Sequence, residues 1–193
     1  MSASKLVFEI GTEEIPAMPL YAAAETALDE ARLAHGEIVT YSTPRRMILV
    51  VEDLADASEA LSMRAKGPAA AIAFDDAGNP TKAAEGFARG KGVDVSRLVR
   101  KTDESGKEYV YAQVEEPSRK TADLLPELLA NLVGGIGWPK SQRWGSGHVT
   151  FSRPIRWLMA LYGEDVIPVE YAGLVAGRIS RGNRLMADRE FEF

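Results

Sequence analysis

The chain contains no cysteine, which excludes disulfides, thiolate metal sites and cysteine nucleophiles. Its two histidines, His35 and His148, lie far apart and form neither a histidine-rich metal site nor a relay to a serine. A glycine-rich phosphate loop followed by lysine is missing, and so is the dinucleotide-binding glycine fingerprint. The sequence therefore predicts no catalytic residue and no bound metal.

Long hydrophobic runs are also missing. Apolar stretches fall well short of the roughly 18–20 residues that a membrane-spanning helix needs. The first residues lack the basic segment and apolar run of a secretion signal. Together with the lack of cysteine, these features lead us to expect a cytoplasmic chain without membrane contact.

Charge is unevenly distributed along the chain. The formal net charge is −5, which argues against phosphate binding by the whole surface. Residues 1–30 carry one lysine against six acidic side chains, whereas residues 138–184 carry seven cationic side chains against three acidic ones. This polarity predicts a local basic surface formed by the later part of the chain.

Hydrophobic periodicity predicts both strands and helices. Leu6, Phe8 and Ile10 alternate as in a half-buried strand. Helical spacing predicts helices over residues 17–33 and 121–132. Further strands are predicted over residues 37–42, 47–54, 150–151, 155–161 and 166–171. Because strands and helices do not alternate regularly, we predict an α+β fold with a mixed or antiparallel sheet, two long helices and a small helix-plus-hairpin module.

The module is predicted over residues 59–115. A short helix over 81–89, a helical turn over 95–98 and a hairpin of 98–102 with 109–114 make up a compact unit. It would be inserted into a main core formed by residues 1–58 and 116–193. The alternating residues 190–193 resemble the start of another strand, so we expect the chain to be part of something longer.

Glu9, Glu13 and Glu14 form a carboxylate cluster with two interpretations. The cluster could bind a hard cation. Alternatively, Thr12 caps the following helix, the glutamates lie near its positive end, and a salt bridge forms with Arg45 or Arg46. The second interpretation needs no ligand.

Arginines interleaved with aromatic and small residues characterise two later segments, 143–157 and 178–184. Such a surface could contact phosphates through guanidinium groups and bases through aromatic rings. Alternatively, Trp144, Phe151 and Trp157 belong to the core and the arginines stack on them. The contact candidates for tRNA or another subunit are Arg45, Arg46, Arg143, Arg153, Arg178, Arg181 and Arg184.

Seven short segments follow one another along the chain: FEIGTEEIP (8–16), TPRR (43–46), KGP (66–68), PTKAAEGFA (80–88), RWG (143–145), FSRPIRW (151–157) and GNR (182–184). In this order they resemble one family, the bacterial glycyl-tRNA synthetase beta subunits. The resemblance covers essentially the whole chain. The family pattern has histidine where this chain has Asn183, which cannot become cationic.

The resemblance implies the amino-terminal part of a large beta subunit that pairs with a separate alpha subunit in an α2β2 heterotetramer. In that family the alpha subunit carries the catalytic site that uses ATP, Mg and glycine, while beta recognises tRNA. The chain itself would then bind no cofactor. It would support recognition of glycine tRNA and alpha-beta assembly for attachment of glycine.

Two other functions remain open on the sequence. The 59–115 module could be a protein-interaction unit that never touches nucleic acid. The chain could also be an editing hydrolase for mischarged tRNA that uses Glu9, Glu13 or His148.

Overall fold

The computed structural model describes residues 3–15, 20–75, 77–103, 106–143, 149–182 and 190–193. A 3-10 turn covers Val95–Arg97. The helices are α1 (Tyr21–Glu30), α2 (Ala70–Ala73), α3 (Lys82–Gly90) and α4 (Thr121–Gly134). The strands are β1 (Ala3–Thr12), β2 (Ile38–Thr43), β3 (Arg46–Ala55), β4 (Leu61–Ala69), β5 (Val99–Thr102), β6 (Glu108–Glu116), β7 (Gln142–Arg143), β8 (Thr150–Phe151), β9 (Ile155–Tyr162), β10 (Asp165–Val166), β11 (Glu170–Tyr171), β12 (Leu174–Val175), β13 (Ile179–Arg181) and β14 (Glu190–Glu192).

The chain divides into two compact units. The first unit comprises residues 1–59 and 119–193, and the second comprises residues 60–118. That the second unit folds as an autonomous inserted domain stays a prediction.

An antiparallel five-stranded sheet forms the centre of the first unit. Its strand order is β10-β9-β1-β3-β2, so β1 lies in the middle and pairs along most of its length with both β3 and β9. The α+β prediction and the antiparallel sheet are thereby confirmed. Among the described residues, no helix combines the length and apolar character that crossing a membrane would require.

One face of this sheet packs against the two long helices. Leu6, Phe8 and Ile10 point to that face from β1 and are fully buried. Leu28 of α1 and Leu129 of α4 belong to the same core cluster. Since side chains alternate along a strand, Glu9 and Gly11 lie on the opposite face, away from the helices.

The predicted capping of α1 by Thr12 was wrong. Thr12 does not cap a helix; it is the last residue of β1, while α1 begins at Tyr21 after Leu20, without a side-chain cap. The strand continues through Thr12 because β9 and the turn before β3 both supply partners, including the Arg45 carbonyl at 2.8 Å from the Thr12 amide. Residues 17–19 of the predicted helix lie outside the described part of the chain.

Two other element boundaries differ from prediction. Helix α1 ends at Glu30, three residues early, because Arg32 adopts a left-handed φ of 56° that breaks the helix. The strand predicted over 166–171 is interrupted between β10 and β11. Pro168, which has no backbone N–H to donate, lies in the gap.

The second unit is a three-stranded antiparallel sheet covered on one face by helices. Its order is β4-β6-β5. Ala70 and Ala73 of α2, Ala84 of α3 and Val110 of β6 form its core. The predicted helix and hairpin correspond to α3 and to β5 with β6, whereas β4, which does not alternate cleanly, was not predicted.

Gly11 allows the sheet to accept a large side chain on its second face. In the β1–β9 register Gly11 lies opposite Trp157. A Cβ at Gly11 would lie 2.0 Å from Cδ2 and Cε2 of the indole ring. The ring therefore occupies the space above Gly11, and any side chain there would displace it.

We expect Gly11→Ala to lower the free energy of unfolding by about 1–3 kcal/mol, the usual cost of overpacking. Urea denaturation followed by tryptophan fluorescence measures this loss in the first unit, which holds all three tryptophans. Gly137→Ala is the matched control, because a Cβ there meets nothing within 4 Å. Equal stability of the two variants would contradict the packing argument.

Candidate functional site

A buried carboxylate organises the second face of the sheet. The side chain of Glu9 is 2% exposed. Its Oε1 accepts a hydrogen bond from Trp157 Nε1 at 3.1 Å and lies 3.1 Å from Arg46 Nη1. Its Oε2 accepts a hydrogen bond from Ser180 Oγ at 2.7 Å. Both oxygens are therefore engaged, as a buried charge requires.

The strand register explains why these groups meet. Arg46 of β3 and Trp157 of β9 both lie opposite Gly11, one on each side of β1. They share the face of Glu9, two residues earlier in the strand. Ser180 comes from β13, much later in the chain, and is itself buried. The salt bridge predicted between the carboxylate cluster and Arg45 or Arg46 is confirmed for Glu9 with Arg46.

Arg46 also connects this cluster to β13. Its Nη1 donates to Ser180 Oγ at 3.3 Å, and its Nη2 donates to the carbonyl of Arg181. The guanidinium groups of Arg46 and Arg181 lie 5.7 and 5.9 Å from the centroid of the Trp157 ring. At these distances the ring stabilises both cations. Arg181 Nε also lies 3.4 Å from Glu190 Oε1.

A cavity of about 420 Å³ opens beside this cluster. Arg45 enters its wall because the turn before β3 is tied to the end of β1 by backbone hydrogen bonds. Arg156 enters from β9, where its Nε donates to Glu13 Oε1 at 3.0 Å. The lining residues are Thr12, Arg45, Arg46, Arg156, Trp157, Arg181, Gly182 and Glu190.

The lining favours an anion. Among the described residues that line the cavity, four guanidinium groups face one carboxylate. Arginine donors in a fixed arrangement suit phosphate and carboxylate oxygens. Thr12 adds a buried hydroxyl oxygen that has no hydrogen-bond partner within the described parts of the chain. Such an unpaired group costs about 1–3 kcal/mol, which a ligand or water could recover.

The same arrangement is poorly suited to acid-base chemistry. Glu9 is held by three donors, and Glu13 is paired with Arg156. These contacts occupy both oxygens of Glu9 and Oε1 of Glu13. His148, the third residue considered for an editing hydrolase, lies outside the described residues. In the part of the chain that the structure describes, no group of three or more His, Asp or Glu side chains could hold a metal ion.

The structure separates the arginines predicted as contact residues. Arg45, Arg46 and Arg181 line the cavity. The Arg178 guanidinium instead donates to the carbonyls of Phe193 at 2.9 Å and Glu164 at 3.1 Å, so it fixes local backbone.

Three more predicted residues lie elsewhere. Arg153 Nε donates to the Glu14 carbonyl at 3.1 Å. Arg143 is exposed on β7, with no side-chain partner among residues that the structure describes. Arg184 lies outside the described residues. The structure thus brings three of the seven candidates together at one site.

Sequence reasoning missed Arg156, Thr12 and the central role of Glu9. Arg156 precedes Trp157 in a segment already recognised as basic and aromatic, so the sequence did contain a signal for Arg156.

Phe151 is 3% exposed and packs edge-on against Trp138 at 4.9 Å, as the core interpretation predicted. Trp157 is half-buried and borders the cavity, while Trp144 lies outside the described residues.

A larger hollow, of about 550 Å³, lies between α1 and α4. Alanine and leucine side chains form most of its lining, and its charged groups are Glu30 and Glu127. It has no cationic lining residue and therefore does not share the chemistry of the arginine cavity.

Comparison with known proteins identifies the family. Residues 6–193 match the family model described as Glycyl-tRNA synthetase beta subunit. The chain is 47% identical to the glycine–tRNA ligase beta subunit of Citrifermentans bemidjiense over 98% of its own length and 28% of that protein. It is 46% identical to the beta subunit of Moorella thermoacetica over 96% of its length and 28% of that protein. A plant relative, glycine–tRNA ligase, chloroplastic/mitochondrial 2, of Arabidopsis thaliana, is 45% identical over 92% of the chain and 17% of that protein.

These matches define a component of an aminoacyl-tRNA synthetase. The chain belongs to the glycyl-tRNA synthetase beta subunit family. It spans about 28% of the length of the bacterial relatives named here.

We expect Glu9→Gln to lower the free energy of unfolding by about 1.5–3 kcal/mol, because the amide offers one acceptor oxygen instead of two and no charge to pair with Arg46. Urea denaturation of the first unit, followed by tryptophan fluorescence, provides the measurement. Glu13→Gln makes the same chemical change in the exposed pair with Arg156 and should cost about 0–1 kcal/mol. Similar losses for the two variants would show that Glu9 does not organise this face.

Proposed function

We propose that the chain works within glycine–tRNA ligase as a tRNA-positioning part of the beta subunit. The arginine cavity would hold phosphates of the glycine tRNA backbone, so that the acceptor end reaches a catalytic site on another polypeptide. The observation that carries this proposal is the convergence of four arginines on one cavity beside a half-buried tryptophan.

The construction of the cavity supports binding in a fixed geometry. Arg46 is held by Glu9, Ser180 and a backbone carbonyl, so its side chain is ordered before any ligand arrives. Pre-organised groups lose less conformational entropy on binding. Arg45, in contrast, has no side-chain partner among the described residues, so its charge is available to a phosphate.

The wider assembly follows from the family and extends the proposal. We infer that the chain functions with an alpha subunit in a cytoplasmic α2β2 enzyme. ATP, Mg and glycine would bind to alpha, and this chain would hold no cofactor. Contact with alpha is the second role that we propose for the chain. Assembly must therefore be measured separately from tRNA binding.

The cavity is tested by Arg45→Gln combined with Arg156→Gln in the complete alpha-beta enzyme. We expect weaker binding of glycine tRNA and a shallower dependence of log K on log salt, by roughly 0.7–0.9 for each phosphate that no longer has a cationic partner. Fluorescence titrations of labelled tRNA at several salt concentrations give both values, and sedimentation measures assembly.

The control is Arg119→Gln combined with Lys120→Gln, which removes the same charge from exposed residues outside the cavity lining. If both double variants behave alike, net charge and not the cavity determines affinity. If only assembly fails in the cavity variant, the arginines belong to a subunit contact.

The proposal that glycine is activated on the alpha subunit is tested separately. We expect the isolated 193-residue chain to form no glycyl-adenylate, since we place the binding sites for ATP and glycine on alpha. Glycine-dependent exchange of pyrophosphate into ATP provides the measurement, with alpha as the positive control. Exchange by the purified chain, freed of other synthetases, would refute this placement.

A further inference from the structure

The second unit has an open sheet face that the tRNA-positioning proposal does not use. Val110 and Ala112 point to the helix-covered face and are fully buried. Side chains at Tyr109, Tyr111 and Gln113 therefore point to the other face.

The strand register assembles cations and rings on this open face. Tyr111 lies between Lys66 of β4 and Val99 of β5. Gln113 lies opposite Arg64, and Tyr109 lies opposite Lys101. Directly opposite residues share a face. Two tyrosine rings and three cationic side chains are consequently grouped on one surface.

The cationic side chains of this face differ in whether they have a side-chain partner. Lys66 Nζ lies 3.6 Å from the centroid of the Tyr109 ring and 2.9 Å from Asp103 Oδ2. The hydrogen bond that Lys66 donates to Asp103 raises the pKa of Lys66, which keeps this lysine charged. Arg64 and Lys101 are exposed and have no side-chain partner among the described residues. Lys66 thus covers one ring, while Tyr111 remains uncovered by a cation.

A shallow groove of about 170 Å³ crosses the face at this ring. Of the residues that the structure describes, three cationic ones and no acidic one line the groove, although Glu115 lies nearby on the same strand face. The groove is lined by Arg64, Val99, Arg100, Lys101, Tyr111 and Gln113.

We propose that this open face, defined by Arg64, Lys101, Tyr111 and Gln113, binds single-stranded RNA. One base stacks on Tyr111, the amide of Gln113 contacts the edge of that base, and Arg64 and Lys101 contact the flanking phosphates. Tyr111 is half-buried and lines the groove. Stacking on such a ring, with cations beside it, is the common chemistry of single-strand binding. A duplex, whose bases are already stacked on each other, cannot use the ring. An acidic protein segment would need the cations but not the tyrosine.

The test uses the 193-residue chain and a fluorescent single-stranded RNA of about ten nucleotides, within the usual range of site sizes. We expect Tyr111→Ala to weaken binding about 5- to 100-fold, from the loss of one stacked base. Tyr111→Phe keeps the ring and should bind like the unaltered chain. Tyr21→Ala, which removes an exposed tyrosine of the first unit, is the control.

A second variant keeps the proposal testable if Tyr111→Ala disturbs the sheet. Arg64→Gln with Lys101→Gln should reduce the slope of log K against log salt by roughly 0.7 for each phosphate concerned. Lys82→Gln with Lys91→Gln on the α3 side removes equal charge and should leave the slope unchanged.

Several outcomes would overturn the inference. These are absence of binding at low salt, full affinity in Tyr111→Ala, equal affinity for the matching duplex, and displacement of the RNA by polyglutamate at equal charge. If Arg45→Gln with Arg156→Gln abolishes oligonucleotide binding while Tyr111→Ala does not, the RNA belongs to the cavity. In that case this inference fails and the tRNA-positioning proposal stands.

Discussion

The burial of the Glu9 carboxylate is the constraint on which the rest of the first unit's second face depends. A charge in the middle of a central strand is costly unless donors surround it. Three strands supply these donors: β3 gives Arg46, β9 gives Trp157 and β13 gives Ser180. Satisfying one carboxylate therefore fixes the register of two neighbouring strands and the position of a third. The cavity is formed by the side chains that this arrangement leaves at its edge.

Packing and binding are linked at this face through one indole ring. Trp157 fills the space that Gly11 leaves, donates to Glu9, and lies near two guanidinium groups. Its ring is thus both a packing element of the sheet and part of the cavity wall. A ligand that enters the arginine cavity therefore meets side chains that the fold has already positioned. The open face of the second unit instead presents the Tyr111 ring and cations on the surface of a sheet.

Local patterns predicted the elements better than the contacts between them. Alternation in β1 and leucine spacing in α4 follow from burial of one face and identify both elements in the sequence. The assignment of Thr12 as a helix cap failed because its local signal, a hydroxyl residue followed by two glutamates, was outweighed by strand pairing on both sides. The contact of Ser180 with Glu9 spans 171 positions and has no local signal. The contact roles of all seven candidate arginines stay predictions, although three of them share one cavity.

The charge polarity of the sequence acquires a different meaning in the fold. An acidic start and a basic end predicted a local basic surface in the later part of the chain, but some of those cations contact the acidic start instead. Glu13 pairs with Arg156, and the Glu14 carbonyl accepts a hydrogen bond from Arg153. Glu9 pairs with Arg46, which precedes the basic end of the sequence. Part of the later positive charge is therefore neutralised within the fold, while Arg45 keeps a charge without a side-chain partner among the described residues. If the cavity holds tRNA phosphates as proposed, its shape contributes to affinity together with net charge, so the dependence on salt should be modest for so many arginines.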